Sequence, residues 1–424
     1  MAKRKSFIKI LFFSSYFYPY TSGLTTYPWK ILNYLSKNHQ ITVLTFNHKE
    51  NKIKELKIKN LKILYLPYLF RLSKGFISPQ SLFYFLKEIK QADLVFFNQP
   101  NVEGLPLMLL AKIFKKKTLS LLHCFLFNEK KSYSLVILHS SNRRTSLFRD
   151  LFNDVIVFLA NKIVELQLLL SDKIIAYTKN YLENFSIYKK IKNKVLFTLP
   201  PIKKLSVDKN FYQKLRKQKG KNIWIGFSGR IAQEKGLEYL INSLTRYTLN
   251  VKIYTLVFAG PYGKDVTGEE SYFKKIKKML DEKKINHLFL GNLNEKQLGA
   301  FYKTIDVLVL PSVNSTEAFG MVQAEAMLLG TPVVATNLPG VKIPIYLTKM
   351  GEVVEPKNEE KLANAIIKIL KNKKKYTNKN LIKNAQKIFD IKKVYKFYDD
   401  LIGYINPNST EAVKKRLAQQ SKYD

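Results

Sequence analysis

Short apolar runs of strand length recur through the first half of the chain, at Ile8–Ser15, Ile41–Phe46, Leu61–Leu66, Leu94–Phe97, Thr118–Leu122, Lys173–Tyr177 and Val195–Leu199. Most are separated by intervals whose apolar residues fall at helical spacing. A run that is apolar on both faces suits a parallel strand with helices packed on either side, so the alternation predicts a doubly wound α/β domain. Pro200 and Pro201 then interrupt the pattern, and the basic, polar stretch Lys203–Asn222 leads into a second series. There Ile223–Phe227, Ile305–Ser312 and Pro332–Thr336 read as buried parallel strands, with helical spacing over Leu237–Leu244 and from Ala318 onward. Phe389–Ile402 repeats aromatic and aliphatic residues at helical spacing, and Asn406–Asp424 is a polar, charged tail.

Length supports two cores rather than one. A chain of 424 residues with 46% hydrophobic content exceeds what a single core usually organises. One cysteine excludes a disulfide framework and a multi-cysteine metal site. The histidines, at 39, 48, 123, 139 and 287, show no close ligand spacing, so no protein-built metal site is expected and a metal is not required by any motif. Met1–Lys5 is basic, but the apolar run behind it is too short for a signal peptide.

Two segments carry candidate chemistry. In Thr316–Met327, TEAFGMVQAEAM, Glu317 and Glu325 bracket a glycine-opened helix that follows the strand LVLPS. No Lys or Arg occurs between Lys303 and Lys342, in a chain of net charge +40. A helical glutamate without a cation three or four residues away gains nothing from surface pairing, which makes Glu325 a ligand candidate. Ahead of it, Ile223–Phe227 is followed by SGRIAQEKG, which places Arg230 in a loop and Lys235 at a helix start. A lysine opposes the helix dipole there unless an anion is bound nearby. Arg supplies a planar fork and Lys a mobile point charge for a diphosphate, the alternative being a surface lysine among many.

FSGRIAQEKG, followed some eighty residues later by TEAFGMVQAEAMLLGTPVVATNLPG, resembles the retaining, nucleotide-sugar-dependent glycosyltransferases of the two-Rossmann-domain (GT-B) type, family 4 or group 1. The resemblance runs roughly from Ile8 to Leu401 and is densest between Phe227 and Pro356. It implies two Rossmann-like domains facing across a deep donor-binding cleft: residues 1–202 with a C-terminal helix, 388–403, returning to them, then 203–387 and a tail, 404–424. It further implies that Glu317 contacts donor-sugar hydroxyls and that Glu325 holds the ribose. Arg230 and Lys235 take the diphosphate, with Gly229 and backbone N–H groups around Phe319, Gly320 and Met321 completing the grip. In the first domain, the family places a histidine or aspartate near the reacting carbon, here His123. The family's paired glycines after the first strand are Ser22 and Gly23 in this chain, so only Gly23 is available for close approach to the diphosphate; an ordinary strand-to-helix turn is the alternative.

The implied activity is transfer of a hexosyl unit from a UDP- or GDP-sugar to a glycan or lipid-linked acceptor, building a cell-surface polysaccharide or glycolipid, with no tightly bound cofactor. A nucleotide-sugar epimerase on the same two-domain plan would use the same donor residues. The balance of 72 basic against 32 acidic residues points to an anionic surface. Basic and bulky apolar residues mix in Tyr68–Lys90 and Leu105–Leu122, neither an uninterrupted membrane span, which suits a cytoplasmic chain lying on the inner face of the membrane. Buried helices with solvated lysines would give the same pattern. A nucleic-acid partner is not expected, because no recognised module accompanies the charge.

Overall fold

A computed structural model describes residues 7–20, 22–72, 75–126, 145–246, 254–266, 269–314 and 316–405. The basic N-terminal residues and the polar tail from Asn406 lie outside them. The chain divides into two compact units, one formed by residues 1–201 with those from 392 onward, the other by 202–391.

The first unit is built on ten strands: β1 (Lys9–Phe13), β2 (Gln40–Phe46), β3 (Lys54–Ile58), β4 (Leu61–Leu66), β5 (Phe70–Leu72), β6 (Gly75–Ile77), β7 (Leu94–Gln99), β8 (Lys117–Leu122), β9 (Lys173–Ala176) and β10 (Val195–Phe197). Eight form one sheet in the order β10-β9-β8-β7-β1-β2-β4-β3, and β5 and β6 pair as a separate hairpin. Every neighbour in the sheet is parallel except the edge strand β3, which runs antiparallel to β4. Four helices of ten residues or more cross between strands: α1 (Gly23–Leu35), α2 (Pro79–Ile89), α3 (Gly104–Ile113) and α4 (Thr145–Leu170). The step from β1 to β2 moves across the sheet in one direction, and those into β7, β8 and β9 move in the other. With right-handed crossovers, α1 therefore covers one face while α2, α3 and α4 share the opposite face.

Side chains agree with that assignment. Phe13, Phe46, Leu66 and Phe97 from the strands share a core with Phe85 and Ile89 of α2 and with Leu107, Met108 and Ala111 of α3. The alternate residues Phe12 and Phe96 point to the other face, where Phe96 meets Tyr398 of the terminal helix Ile391–Ile405. That helix also packs on α1: the Tyr27 and Tyr398 hydroxyls are 3.0 Å apart, Tyr34 donates to Asp399 at 2.8 Å, and the Tyr34 and Tyr395 rings stack at 4.0 Å.

The second unit carries β11 (Ile223–Ser228), β12 (Tyr254–Ala259), β13 (Asn286–Phe289), β14 (Val307–Leu310), β15 (Val333–Thr336) and β16 (Gly351–Val354). They form one parallel sheet in the order β13-β12-β11-β14-β15-β16. The order departs from β11 in both directions, so a change of direction in the strand order lies between β11 and β14. Such switch points are where ligands bind, outside the carboxyl ends of the strands. Two expectations shift by a few residues: the strand at 305–312 is ordered only over Val307–Leu310, and the helix after it starts at Met321 rather than Ala318.

Candidate functional site

The loops leaving β11 and β14 bring the two sequence segments together. After β11 the chain passes Gly229 and Arg230, makes a short 3-10 turn over Gln233–Lys235, and enters the helix Leu237–Arg246. Gly236 closes that turn at φ +62°, and a Cβ there would come within 2.6 Å of the Pro311 carbonyl oxygen, so glycine alone lets the loop lie against the end of β14. The Val313 N–H donates to the Glu234 carbonyl at 3.0 Å, fastening one loop to the other. As a result, the Lys235 ammonium forms an ion pair with the Glu317 carboxylate, 82 positions away in sequence. Arg230 is exposed and its guanidinium pairs with Glu234 at 2.7 Å.

Gly320 opens the next helix, Met321–Leu328, at φ +73°, without a side-chain cap. A Cβ at Gly320 would meet Leu310 and Gln323 at 2.7 Å, so this helix start sits tightly against the end of β14. Its first N–H groups lie at the same strand ends as Arg230 and Lys235, an arrangement that favours an anion. Gln323 ties the start to the loop after β15, donating to the Val341 carbonyl at 2.8 Å.

Glu325, one turn into this helix, meets Tyr302. The Tyr302 hydroxyl is fully buried and lies 3.0 Å from both a Glu325 carboxylate oxygen and Ser228 Oγ. A phenol has one proton and an ionised carboxylate only accepts, so that proton goes to Glu325. Burial, with the Glu325 charge added, pushes the Tyr302 pKa far above the usual range, and it stays a donor at any ordinary pH. The sequence argument for Glu325, that no nearby cation accounts for it, overlooked this tyrosine on a different helix.

The two candidates in the first unit have different settings. Gly23 is the first residue of α1, behind Ser22, whose N–H donates to Thr25 Oγ1 at 2.9 Å. His123 follows β8 as expected, yet the residue is 3% exposed and both ring nitrogens are engaged inside the unit. Asn98 donates through Nδ2 to the Leu24 carbonyl at 3.0 Å, which orients its amide oxygen toward His123 Nε2 at 2.7 Å. Nε2 must then carry the proton, and Nδ1 accepts from the Tyr177 hydroxyl. Burial lowers the His123 pKa to about 3, so the imidazole is neutral. The ring is buried within the first unit, held by partners at the ends of β7 and β9 that were not visible in sequence. Among the described residues, no group of three or more His, Cys, Asp or Glu side chains is gathered as a metal site would require.

The family description Glycosyl transferases group 1 matches residues 208–388, the stretch that contains Arg230, Lys235, Glu317 and Glu325. An uncharacterised glycosyltransferase of Methanocaldococcus jannaschii is 34% identical over 149 residues, 34% of this chain and 35% of that protein. The chain thus spans about a third of the length of the curated relatives it matches. Sucrose-phosphate synthase from Thermosynechococcus elongatus superposes with a TM-score of 0.70 at 17% identity, covering 94% of this chain and all of that one. Anabaena HepE in complex with UDP-glucose gives 0.66 at 17% identity, covering 97% of this chain and 100% of that one. Residues 208–388 are thus related to the group 1 glycosyl transferases, and the chain has the GT-B fold. Its two Rossmann-like units are the two domains of the GT-B fold.

Proposed function

We propose that this GT-B chain is a retaining glycosyltransferase that moves a hexosyl unit from a nucleoside-diphosphate sugar, a UDP- or GDP-sugar, to a glycan or lipid-linked acceptor. The product would be a cell-surface polysaccharide or glycolipid. The observation that carries the reading is the convergence of Arg230, Lys235 and an uncapped helix start at one set of strand ends, with two carboxylates beside them.

Each group has a task in that reaction. Arg230 and Lys235 hold the diphosphate, whose negative charge grows as the glycosidic bond breaks, and the N–H groups about Phe319, Gly320 and Met321 add fixed dipoles. A diphosphate competes with Glu317 for the Lys235 ammonium, and Glu317 becomes available to accept from sugar hydroxyls. Glu325, steadied by Tyr302, accepts from the ribose hydroxyls. In a front-face displacement the acceptor oxygen bonds to the anomeric carbon on the side the diphosphate leaves, and the acceptor proton passes to a leaving phosphate oxygen. In this scheme Gly229 and Gly23 provide close backbone approach, and neutral His123 orients Asn98 and Tyr177 at the strand ends of the first unit.

The net charge of +40 supports work at the anionic inner face of a membrane, and none of the helices among the described residues is long and apolar enough to cross one. The test is a panel of UDP-, GDP- and ADP-sugars, scored by calorimetric binding and by release of free sugar. At least one should bind below millimolar concentration; a folded protein that binds none would end the transferase reading.

A further inference from the structure

The helix layer formed by α2, α3 and α4 has an unusual outer side. α3, GLPLMLLAKI, is apolar except for Lys112, which pairs with Asp172 at 2.9 Å; Leu107, Met108 and Ala111 face the sheet, whereas Leu109 and Ile113, with Phe114 just behind, are 46%, 72% and 36% exposed. A helix with that pattern is normally buried on every side. On its flanks the same holds: α2 exposes Leu82 and Phe83, and α4 exposes Val155, Phe158, Leu159, Leu166 and Leu169. α3 packs directly against both neighbours, so these residues lie on the outer side of one helix layer. Among the described residues the second unit exposes only Tyr346 to a comparable degree.

Charge says what covers the face. Exposed Lys87 and Lys90 stand at the end of α2, and exposed Lys115 and Lys117 follow α3. The acidic side chains described on the layer are neutralised or withdrawn. Glu88 pairs with Lys62 at 2.9 Å and Glu165 with Lys162 at 2.8 Å. Glu103, at the head of α3, is turned inward to accept from Ser15 and from the Phe76 N–H. Apolar side chains bordered by lysines, with the carboxylates compensated, suit the boundary between headgroups and acyl chains of an anionic bilayer.

We infer that the chain docks on an anionic membrane by inserting the outer side of α2, α3 and α4, with Phe83, Leu109 and Ile113 as its apolar anchors. This rests on the membrane reading above and names the surface that performs it. Insertion of apolar groups is not screened by salt, so attachment has a salt-resistant part besides the lysine attraction.

Vesicle flotation tests the inference, with phosphatidylglycerol–phosphatidylcholine vesicles against phosphatidylcholine alone, at low salt and at about 1 M, where the Debye length is about 3 Å. The wild-type chain should float with the anionic vesicles and keep a measurable fraction bound at high salt. Phe83→Glu, Leu109→Glu and Ile113→Glu combined should lower binding by about tenfold or more, while Tyr346→Glu in the second unit leaves it unchanged. All three replaced side chains are exposed, and matching circular dichroism and melting curves verify the fold. If the wild type never floats, the membrane reading itself falls. If the wild type and the triple variant float equally, the membrane reading survives and this face is refuted. A concentration-dependent dimer in light scattering that the triple variant abolishes, without flotation, would reassign the face to a second copy of the chain and overturn the inference.

Discussion

The two units share an architecture, a parallel sheet between helices, and treat polarity in opposite ways. At its strand ends the first unit buries a neutral line, Ser14–Asn98–His123–Tyr177, in which every step is a hydrogen bond between uncharged groups. The second unit works with charge: Lys235 against Glu317 at the carboxyl ends of its strands, and Lys219 and Lys373 on either side of Asp306, at 2.5 and 2.8 Å, at the amino end of β14. Outside, the contrast reverses, with the first unit exposing large apolar side chains on three helices and the second almost none. A common fold therefore does not dictate where charge goes. The unit that carries the proposed diphosphate site holds its cations ready, and the unit with the neutral strand-end line carries the apolar outer face.

The largest expected effect tests the charged end. Lys235→Ala should lower turnover by roughly 10²–10³-fold, as for loss of a preorganised group facing transition-state charge, and weaken donor binding much less. Arg230→Ala should act in the same direction. Initial rates beside donor titrations decide this, and negligible changes in both variants would remove the charge contrast as a functional one. The next compares how each interior tolerates a missing partner. Asp306→Asn leaves the buried Lys219 ammonium without its counter-charge and should cost about 3 kcal/mol, against about 1–2 kcal/mol for Tyr177→Phe, which leaves only a neutral His123 nitrogen unpaired. Urea unfolding gives both numbers, and equal losses would show that the two interiors do not differ energetically.

Glu325→Ala should weaken nucleotide affinity by roughly 1.5–3 kcal/mol with little change in turnover, because it removes an ionised acceptor used alike in ground and transition states. Calorimetry with a nucleoside diphosphate checks this. A separate effect is expected in acid. His123 and His48 have pKa values lowered by burial from 6.5 to about 3 and about 4, so on acidification the unfolded chain takes up these protons first. Their contribution to stability is complete above pH 6.5 and is lost as pH falls from there toward 4 and then 3. Asp306, held low by Lys219 and Lys373 against the effect of burial, loses its contribution only below its ordinary value of 3.8. Melting temperature should thus begin to fall below pH 6.5, and His123→Gln should flatten that slope; an unchanged slope would mean the ring titrates normally.

Much of this was legible in residue order. Local pattern located β1, β2, β4, β7, β8, β9, β10, β11, β14 and β15, because a parallel strand covered on both faces must be apolar along its length. It missed β3, whose residues are mostly exposed at a sheet edge, and the short hairpin β5–β6. It also left β12, β13 and β16 unnamed. At the candidate site the residue types and their spacing singled out Arg230, Lys235, Glu317 and Glu325, since glycines, cations and paired carboxylates stand out against an apolar background.

What residue order could not show was pairing across distance. Glu317 and Lys235 meet across 82 positions, Tyr302 reaches Glu325 and Ser228 from a third segment, and Asn98 and Tyr177 close on His123 from two neighbouring strands. The apolar outer side of α3 belongs to the same class, because a run such as GLPLMLLAKI reads as buried until packing leaves one side uncovered. The sequence by itself determined which segments become strands and helices and which residue types stand ready for an anion, for these depend on neighbours a few positions away. Only the tertiary structure decided which of those groups are partnered, buried or open, because hydrogen bonds and burial depend on distances in space that crossovers of many residues bring about.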